Sequence, residues 1–258
     1  MKYCILNRND DKSKEIAEYI IKNIKYSYDE NNPDIVIAIG GDGTILHAFH
    51  QHPKSVVFGL HTGHLGFFAN YNPDTLDLLV DDINNQSYKI EETELLSCKI
   101  EEDDGNVIEV DAINESTVLS TRKTLILDVK IDDELLERFR GTGLCVSTPV
   151  GSTAYNKALH GAVVDHNMTI MQLAEIASIN SNAFRTLGSP LILSRKRKIV
   201  LESETPLQLS VSVDNLAYDI KEFRRATFYY KGHYIKMGYH SAEGFIKRIA
   251  RSFIDSGK

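Results

Sequence analysis

Residues 35–44 constrain the fold more than any other part of the chain. Ile35-Val36-Ile37-Ala38-Ile39 is an unbroken apolar run, and Gly40-Gly41-Asp42-Gly43-Thr44 follows it without a spacer. Such a run predicts a strand buried on both faces, as in a parallel sheet covered by helices. The segment Ile45 to His50 reads as a helix, so strand, glycine turn and helix stand in direct succession. The flanking sequence agrees. Tyr3 to Leu6 is a short apolar run, and Ile16, Ile20 and Ile24 fall at helical spacing with Ala17 and Ile21 beside them. Ser55 to Leu60 repeats the buried-strand pattern. Asn72-Pro73-Asp74 starts a helix, with Asn as N-cap and Pro at the first helical position. Leu76, Leu79, Val80 and Ile83 then make one stripe. These elements predict an α/β N-terminal domain with a parallel sheet over residues 1–92.

Beyond residue 92 the rhythm changes. Leu96, Cys98 and Ile100 alternate with polar residues, Asp104-Gly105 is a hairpin-turn pair, and Val107 to Val110 returns. Strands are predicted at Thr124 to Ile131, Leu144 to Ser147, Ile199 to Leu201, Leu207 to Val213 and Thr227 to Tyr230. A helix is predicted over roughly Thr169 to Ile179, where apolar residues occupy more than one side. That stretch suits burial against both its own domain and a second subunit. Residues 93–240 are thus expected to form a β-rich domain. A C-terminal helix over 241–258 is expected to pack back on a domain, with Phe245, Ile246, Ile249, Ala250 and Phe253 at helical spacing.

Charge and cysteine usage exclude several function classes. The 258 residues carry 29 Lys and Arg against 36 Asp and Glu, a net charge of −7. An acidic chain is a poor general binder of nucleic acid or anionic membranes. A phosphorylated small molecule would have to be held by local backbone N–H groups or a metal. Cys4, Cys98 and Cys145 are scattered, without a CxxC pair, and predict buried thiols in a reducing compartment. The N-terminal apolar run is too short for a signal peptide, and no apolar run approaches the roughly 20 residues that span a bilayer. A cytoplasmic protein is expected.

The glycine turn at 40–44 lets a ligand approach the backbone closely and is expected to use positive φ. At the carboxyl end of a parallel strand it directs N–H groups and a helix N-terminus towards phosphate. Asp42 is out of place among phosphate-facing amides unless it binds a metal or takes a proton; otherwise the segment is a tight turn with a solvated carboxylate. No Lys-Ser/Thr follows, so this is not a Walker loop, and Leu46 stands where GxGxxG needs its third glycine. His61-Thr62-Gly63-His64-Leu65-Gly66-Phe67 is expected to emerge at the same sheet edge. His61 and His64 read as ordinary hydrogen-bonding loop residues, and His47, His50 and His52 as incidental. Asn114-Glu115-Ser116-Thr117 ends a strand and suits ribose hydroxyls, a metal or a polar turn. Gly141 to Tyr155 is a strand and a hydroxyl- and glycine-rich turn, with Tyr155 placed to stack on a base. Arg195-Lys196-Arg197-Lys198 lies between two apolar strands and reads as an exposed turn.

Together these segments resemble the NAD kinase family: GGDGT at 40–44, HTGHLGF at 61–67, NES at 114–116, LCVSTPVGSTAY at 144–155, ASIN at 177–180, RTLGSPL at 185–191 and SVD at 212–214. Close variants of GGDGT occur in diacylglycerol and sphingosine kinases and phosphofructokinases, whereas STPxGSTAY is specific. The resemblance implies a two-domain fold that forms homotetramers or homodimers. It implies transfer of the γ-phosphate of ATP, with a divalent metal such as Mg²⁺, to the 2′-hydroxyl of the adenosine ribose of NAD. By position, Asp42 matches the catalytic base, and Gly41, Gly43 and Thr44 the phosphate-facing loop. Phe67, Asn114 and Glu115 match residues of the adenosine and ribose sites. Thr153, Ala154 and Tyr155 match the dinucleotide-binding turn, and Asp214 a site carboxylate. Ala177 and Ile179 match positions that in some members reach a neighbouring subunit's site. Thr142 stands where the family usually has an Asp against the dinucleotide, Val150 where Thr or Ser is common, and Asn215 where Gly or His is found. Two other readings fit the sequence: a dinucleotide-binding sensor weakened by Thr142, and a lipid or sugar kinase sharing only GGDGT.

Overall fold

The computed structural model describes residues 1–258 except His64, Leu65, Thr121, Ala242, Glu243 and 255–258. The chain forms two compact units, Met1–Thr93 with Tyr234–Lys258, and Glu94–His233.

The first unit is an α/β layer structure. Its elements are β1 (Lys2–Asn7), α1 (Asp11–Asn23), β2 (Ser27–Tyr28), β3 (Ile35–Ile39), α2 (Asp42–Gln51), β4 (Val56–Leu60) and α3 (Leu76–Asn85). The strands pair in parallel in the order β2, β1, β3, β4, and a returning segment at Lys236 and Met237 adds beside Val56 and Val57. All five residues of β3 are buried, as a central parallel strand covered on both faces must be. Ile16 and Ile20 of α1 and Leu79, Val80 and Ile83 of α3 close one face around Ile35, Ile37 and Ile39. The Asn72 side chain accepts from the N–H groups of Asp74 and Thr75, so the capping signal before α3 acts as read.

The second unit is antiparallel throughout. It holds β5 (Lys89–Glu102), β6 (Val107–Ala112), β7 (Glu115–Leu119), β8 (Leu125–Ile131), β9 (Glu134–Gly141), β10 (Gly143–Ser147), α4 (Tyr155–Ala158), β11 (Ile170–Ile176), β12 (Leu191–Ser194), β13 (Ile199–Val213) and β14 (Leu216–Tyr239), where β5 begins and β14 ends in the first unit. Strands run in the order β12, β11, β10, β7, β13, β14, with β8 on β13 and β9 on β8. α5 (Phe245–Phe253) belongs to the first unit.

The helix predicted over 169–179 is a strand. β11 lies between β10 and β12, and its two faces are buried in different places. Met171 and Leu173 enter the main core of the unit, while Ala174 and Ile176 pack with Cys145. A strand covered on both faces is apolar on both sides, and periodicity alone does not separate it from a buried helix. β9, which carries a polar, charged sequence, lies outside the predicted strands, whereas β12 is the apolar strand expected ahead of the basic run at 195–198. Asn114-Glu115 opens β7 instead of ending a strand. The three cysteines are buried free thiols.

Candidate active site

Register places the first cluster. Ile39 of β3 is opposite Leu60 of β4, and the Gly40 N–H donates to the Leu60 carbonyl at 2.9 Å. The turn after β3 and the loop after β4 therefore leave the carboxyl edge of the sheet side by side. α2 begins at once with Gly41 as N-cap, whose carbonyl accepts from the N–H groups of Thr44 and Ile45. None of the glycines at 40, 41 and 43 uses positive φ, contrary to expectation; Gly41 sits at φ −93°. Gly40 is required by a close approach, since a Cβ there would fall 2.4 Å from Thr44 Oγ1. Nothing lies within 4 Å of where a Cβ on Gly41 or Gly43 would stand, so backbone is open to a ligand there.

Asp42 is not a solvated turn residue. Its Oδ2 accepts from the Phe67 N–H at 2.9 Å and its Oδ1 from the Phe68 N–H at 3.1 Å. The carboxylate is thus fixed by two backbone donors from the neighbouring loop. The approach requires Gly66: a Cβ there would fall 2.1 Å from Asp42 Oδ1. Sequence reasoning passed over Gly66 because its requirement is a tertiary close approach with no local signature. His61 Nδ1 lies 3.0 Å from the Gly63 carbonyl, an ordinary loop bond; His64 lies outside the described residues.

The second unit brings another set together. Asp214, at φ 51° in the turn between β13 and β14, accepts from the N–H groups of Ile113 (2.9 Å), Asn114 (2.7 Å) and Glu115 (3.3 Å). Thr148 holds the same peptides from the other side. Its hydroxyl donates to the Ile113 carbonyl at 2.6 Å, and its N–H donates to the Asn114 carbonyl at 2.9 Å. Asp214 is thereby a clamp on the backbone that presents Asn114 and Glu115.

Glu115 is the electrostatically unusual residue. Burial, with the negative charge of Asp214, pushes its carboxyl up to about 8, against the opposing pull of the Tyr155 N–H. Its Oε2 is buried without a hydrogen-bond partner. At neutral pH Glu115 is mostly a neutral acid with an unused polar atom, suited to hydrogen-bonding a hydroxyl. Thr153, buried, donates to the Val150 carbonyl at 3.2 Å; Ala154 turns the chain into α4; Tyr155 opens that helix exposed. Asn156, fully buried, has neither side-chain amide atom hydrogen-bonded. It directly follows the LCVSTPVGSTAY segment, where no local signal marks it.

Thr142, Ala177 and Ile179 form a third group at the other end of β10. The Thr142 N–H donates to the Ile176 carbonyl at 3.0 Å and its carbonyl accepts from Ser120 at 2.9 Å. Ala177 has φ 47°, and the Ile179 N–H donates to the Arg140 carbonyl at 2.8 Å. Because Gly143 is opposite Leu119 and Ser147 opposite Glu115, Thr142 is removed from Glu115 by the length of β10. The basic run at 195–198 forms a turn, with Arg195 on Glu94 and Arg197 on Asp132. Among the described residues, no three His, Cys, Asp or Glu side chains gather to hold a metal ion.

Residues 5–88 match the ATP-NAD kinase N-terminal domain, and residues 110–227 match the ATP-NAD kinase C-terminal domain. The chain is 39% identical to the NAD kinase of Staphylococcus saprophyticus, over 100% of this chain and 99% of that protein. The chain belongs to the NAD kinase family. Membership makes it a phosphotransferase and accounts for the order of its motifs. The NAD kinase of Lysinibacillus sphaericus is 39% identical over 98% of this chain and 99% of its own length. Two solved structures share the NAD kinase fold. Yeast NADH kinase complexed with NADH superposes with a TM-score of 0.85 at 20% identity, covering 100% of this chain and 89% of that one. An Archaeoglobus fulgidus NAD kinase in complex with ATP superposes at 0.76 and 23% identity, covering 98% and 97%.

Proposed function

We propose that this chain transfers the γ-phosphate of ATP to the 2′-hydroxyl of the adenosine ribose of NAD, making NADP. The observation that carries this reading is the Asp42 carboxylate, held by two backbone N–H groups at the edge where the bare glycines Gly41 and Gly43 lie. We assign ATP phosphates to Gly41, Gly43 and Thr44, where open backbone and the start of α2 suit an anion. NAD is assigned to Phe67, Asn114, Glu115, Thr142, Thr153, Ala154 and Tyr155, with Ala177 and Ile179 as the pair that reaches a neighbouring subunit's site. Asp42 accepts or orients the proton of the attacking hydroxyl. Phosphoryl transfer has a loose transition state, so positioning and electrostatics are its main demands.

The protein lacks a preformed metal cage among its described residues. The divalent cation, Mg²⁺ in this proposal, is therefore assigned to the ATP phosphates and water, the usual habit of that ion. Cytoplasmic residence rests on three buried free thiols, which suit a reducing compartment. No helix of the structure is long and apolar enough to cross a membrane.

The test is incubation with NAD, ATP and Mg²⁺, with NADP read by an NADP-specific dehydrogenase. NADP formation that depends on both substrates supports the reading. Its absence with every divalent metal tried, alongside measurable NAD binding, favours the sensor that Thr142 suggests.

A further inference from the structure

The peptide joining Phe67 to Phe68 is held at both ends by charged groups. Its N–H donates to Asp42 Oδ1 at 3.1 Å, and its carbonyl accepts from Arg248 Nη1 at 2.7 Å. Arg248 comes from α5, the last helix of the first unit, and is only 7% exposed. Its Nη2 lies 3.5 Å from Asn70 Oδ1 in the same loop, and the Phe253 ring of the same helix rests 5.5 Å from the Phe67 ring. An arginine rarely sits that deep in a folded chain. Arg248 falls in the stripe of Phe245, Ile249 and Phe253 because it has a carbonyl to meet there.

We propose that Arg248 is a positioning residue for phosphoryl transfer, acting on Asp42 through the Phe67–Phe68 peptide. The assignment rests on Asp42 as the group that handles the hydroxyl proton. A cation on the carbonyl polarises the peptide, which strengthens its N–H as a donor to the carboxylate, and hydrogen bonds in such a chain reinforce one another. The guanidinium also fixes the peptide plane. Rotation of that plane would carry the N–H away from Asp42 and leave the carboxylate held by the Phe67 N–H alone. Small displacements of this kind cost rate more than binding.

The test is a double-mutant cycle with Arg248→Met and Asp42→Asn, read as kcat and KM for NAD and ATP, with a thermal melt of each protein. Arg248→Met is expected to lower kcat about tenfold or more and to leave both KM values within about threefold. In the Asp42→Asn background the same change is expected to alter kcat by less than about twofold, because the residue it serves is gone. Arg248→Lys keeps one charged donor and is expected to recover part of the loss. Equal losses in both backgrounds, or a kcat for Arg248→Met within about twofold of the unsubstituted protein, would overturn the proposal. Should Arg248→Met lose its cooperative melt, Arg248→Lys replaces it in the cycle, and additivity there overturns the proposal in the same way. An unsubstituted protein that makes no NADP refutes the proposed function. An active one whose Arg248 variants obey additivity refutes only this assignment.

Discussion

At the scale of single residues, two carboxylates are set by opposite means. Asp42 is held in place between two amide donors, and an Asn there would offer one oxygen to one N–H and oppose the other with its own NH₂. Asp42→Asn is therefore expected to lower kcat by roughly 10² to 10⁴, the worth of a general base, with KM for NAD nearly unchanged. A buried donor left unmatched adds a stability cost of about 1–3 kcal/mol, visible as a lower Tm. Steady-state kinetics with calorimetry check both, and a kcat within threefold of the unsubstituted protein removes Asp42 from the chemistry. Glu115 is instead kept neutral by burial and by Asp214. The folded chain holds this proton between the ordinary value of 4.5 and about 8, whereas the unfolded chain has released it. Stability contributed here falls as pH rises through that window and levels off above it. Glu115→Gln removes the titration and keeps the shape. Its Tm is expected to match that of the unsubstituted protein near pH 4.5 and to exceed it by several degrees near pH 8.5, about 2–4 °C per kcal/mol for a chain of this size. A difference that does not change with pH would mean an ordinary, ionised Glu115.

At the scale of elements, β10 decides how Thr142 is to be understood. A carboxylate restored at 142 would meet acidic repulsion if it stood beside Glu115, but the register puts the two at opposite ends of the strand. Thr142→Asp is accordingly expected to lower KM for NAD, by about 5- to 30-fold for a charge-assisted bond regained, with kcat within a few-fold. An unchanged or higher KM marks Thr142 as a tolerated strand residue. The elements also show what the sequence can and cannot disclose. β3 and its glycine turn were legible because an apolar run and three glycines are local facts. β11 was misread because Met171 and Leu173 face one core and Ala174 and Ile176 another, so the pattern lost its period of two. Asp42 was legible as an oddity of composition. Its two amide partners, the need for Gly66 and the reach of Arg248 were not, since each depends on loops far apart in sequence meeting at one place.

At the scale of the whole molecule, β11 is a buried strand, and a subunit contact must be formed by other residues. Met171, Leu173 and Ile176 are buried within their own unit and cannot form a subunit contact. Met168, Ile179, Phe184, Leu187 and Ile192 remain exposed, all in the second unit. Ile192 belongs to β12, which ends the strand order and so presents an unpaired edge among the described residues. An edge strand flanked by exposed apolar side chains is a liability unless another chain covers it. A second copy of this chain is the economical cover, because Ala177 and Ile179 lie in the same stretch and are the residues assigned to a neighbour's site. We therefore expect a homo-oligomer, a tetramer or dimer, by light scattering at micromolar concentration. Charges introduced by Leu187→Glu with Ile192→Glu are expected to shift the protein to a smaller species. Specific activity should fall in parallel, since each site would lose its neighbour's contribution. A monomer at micromolar concentration with full activity would show that the exposed edge has another use and that each site is complete within one chain.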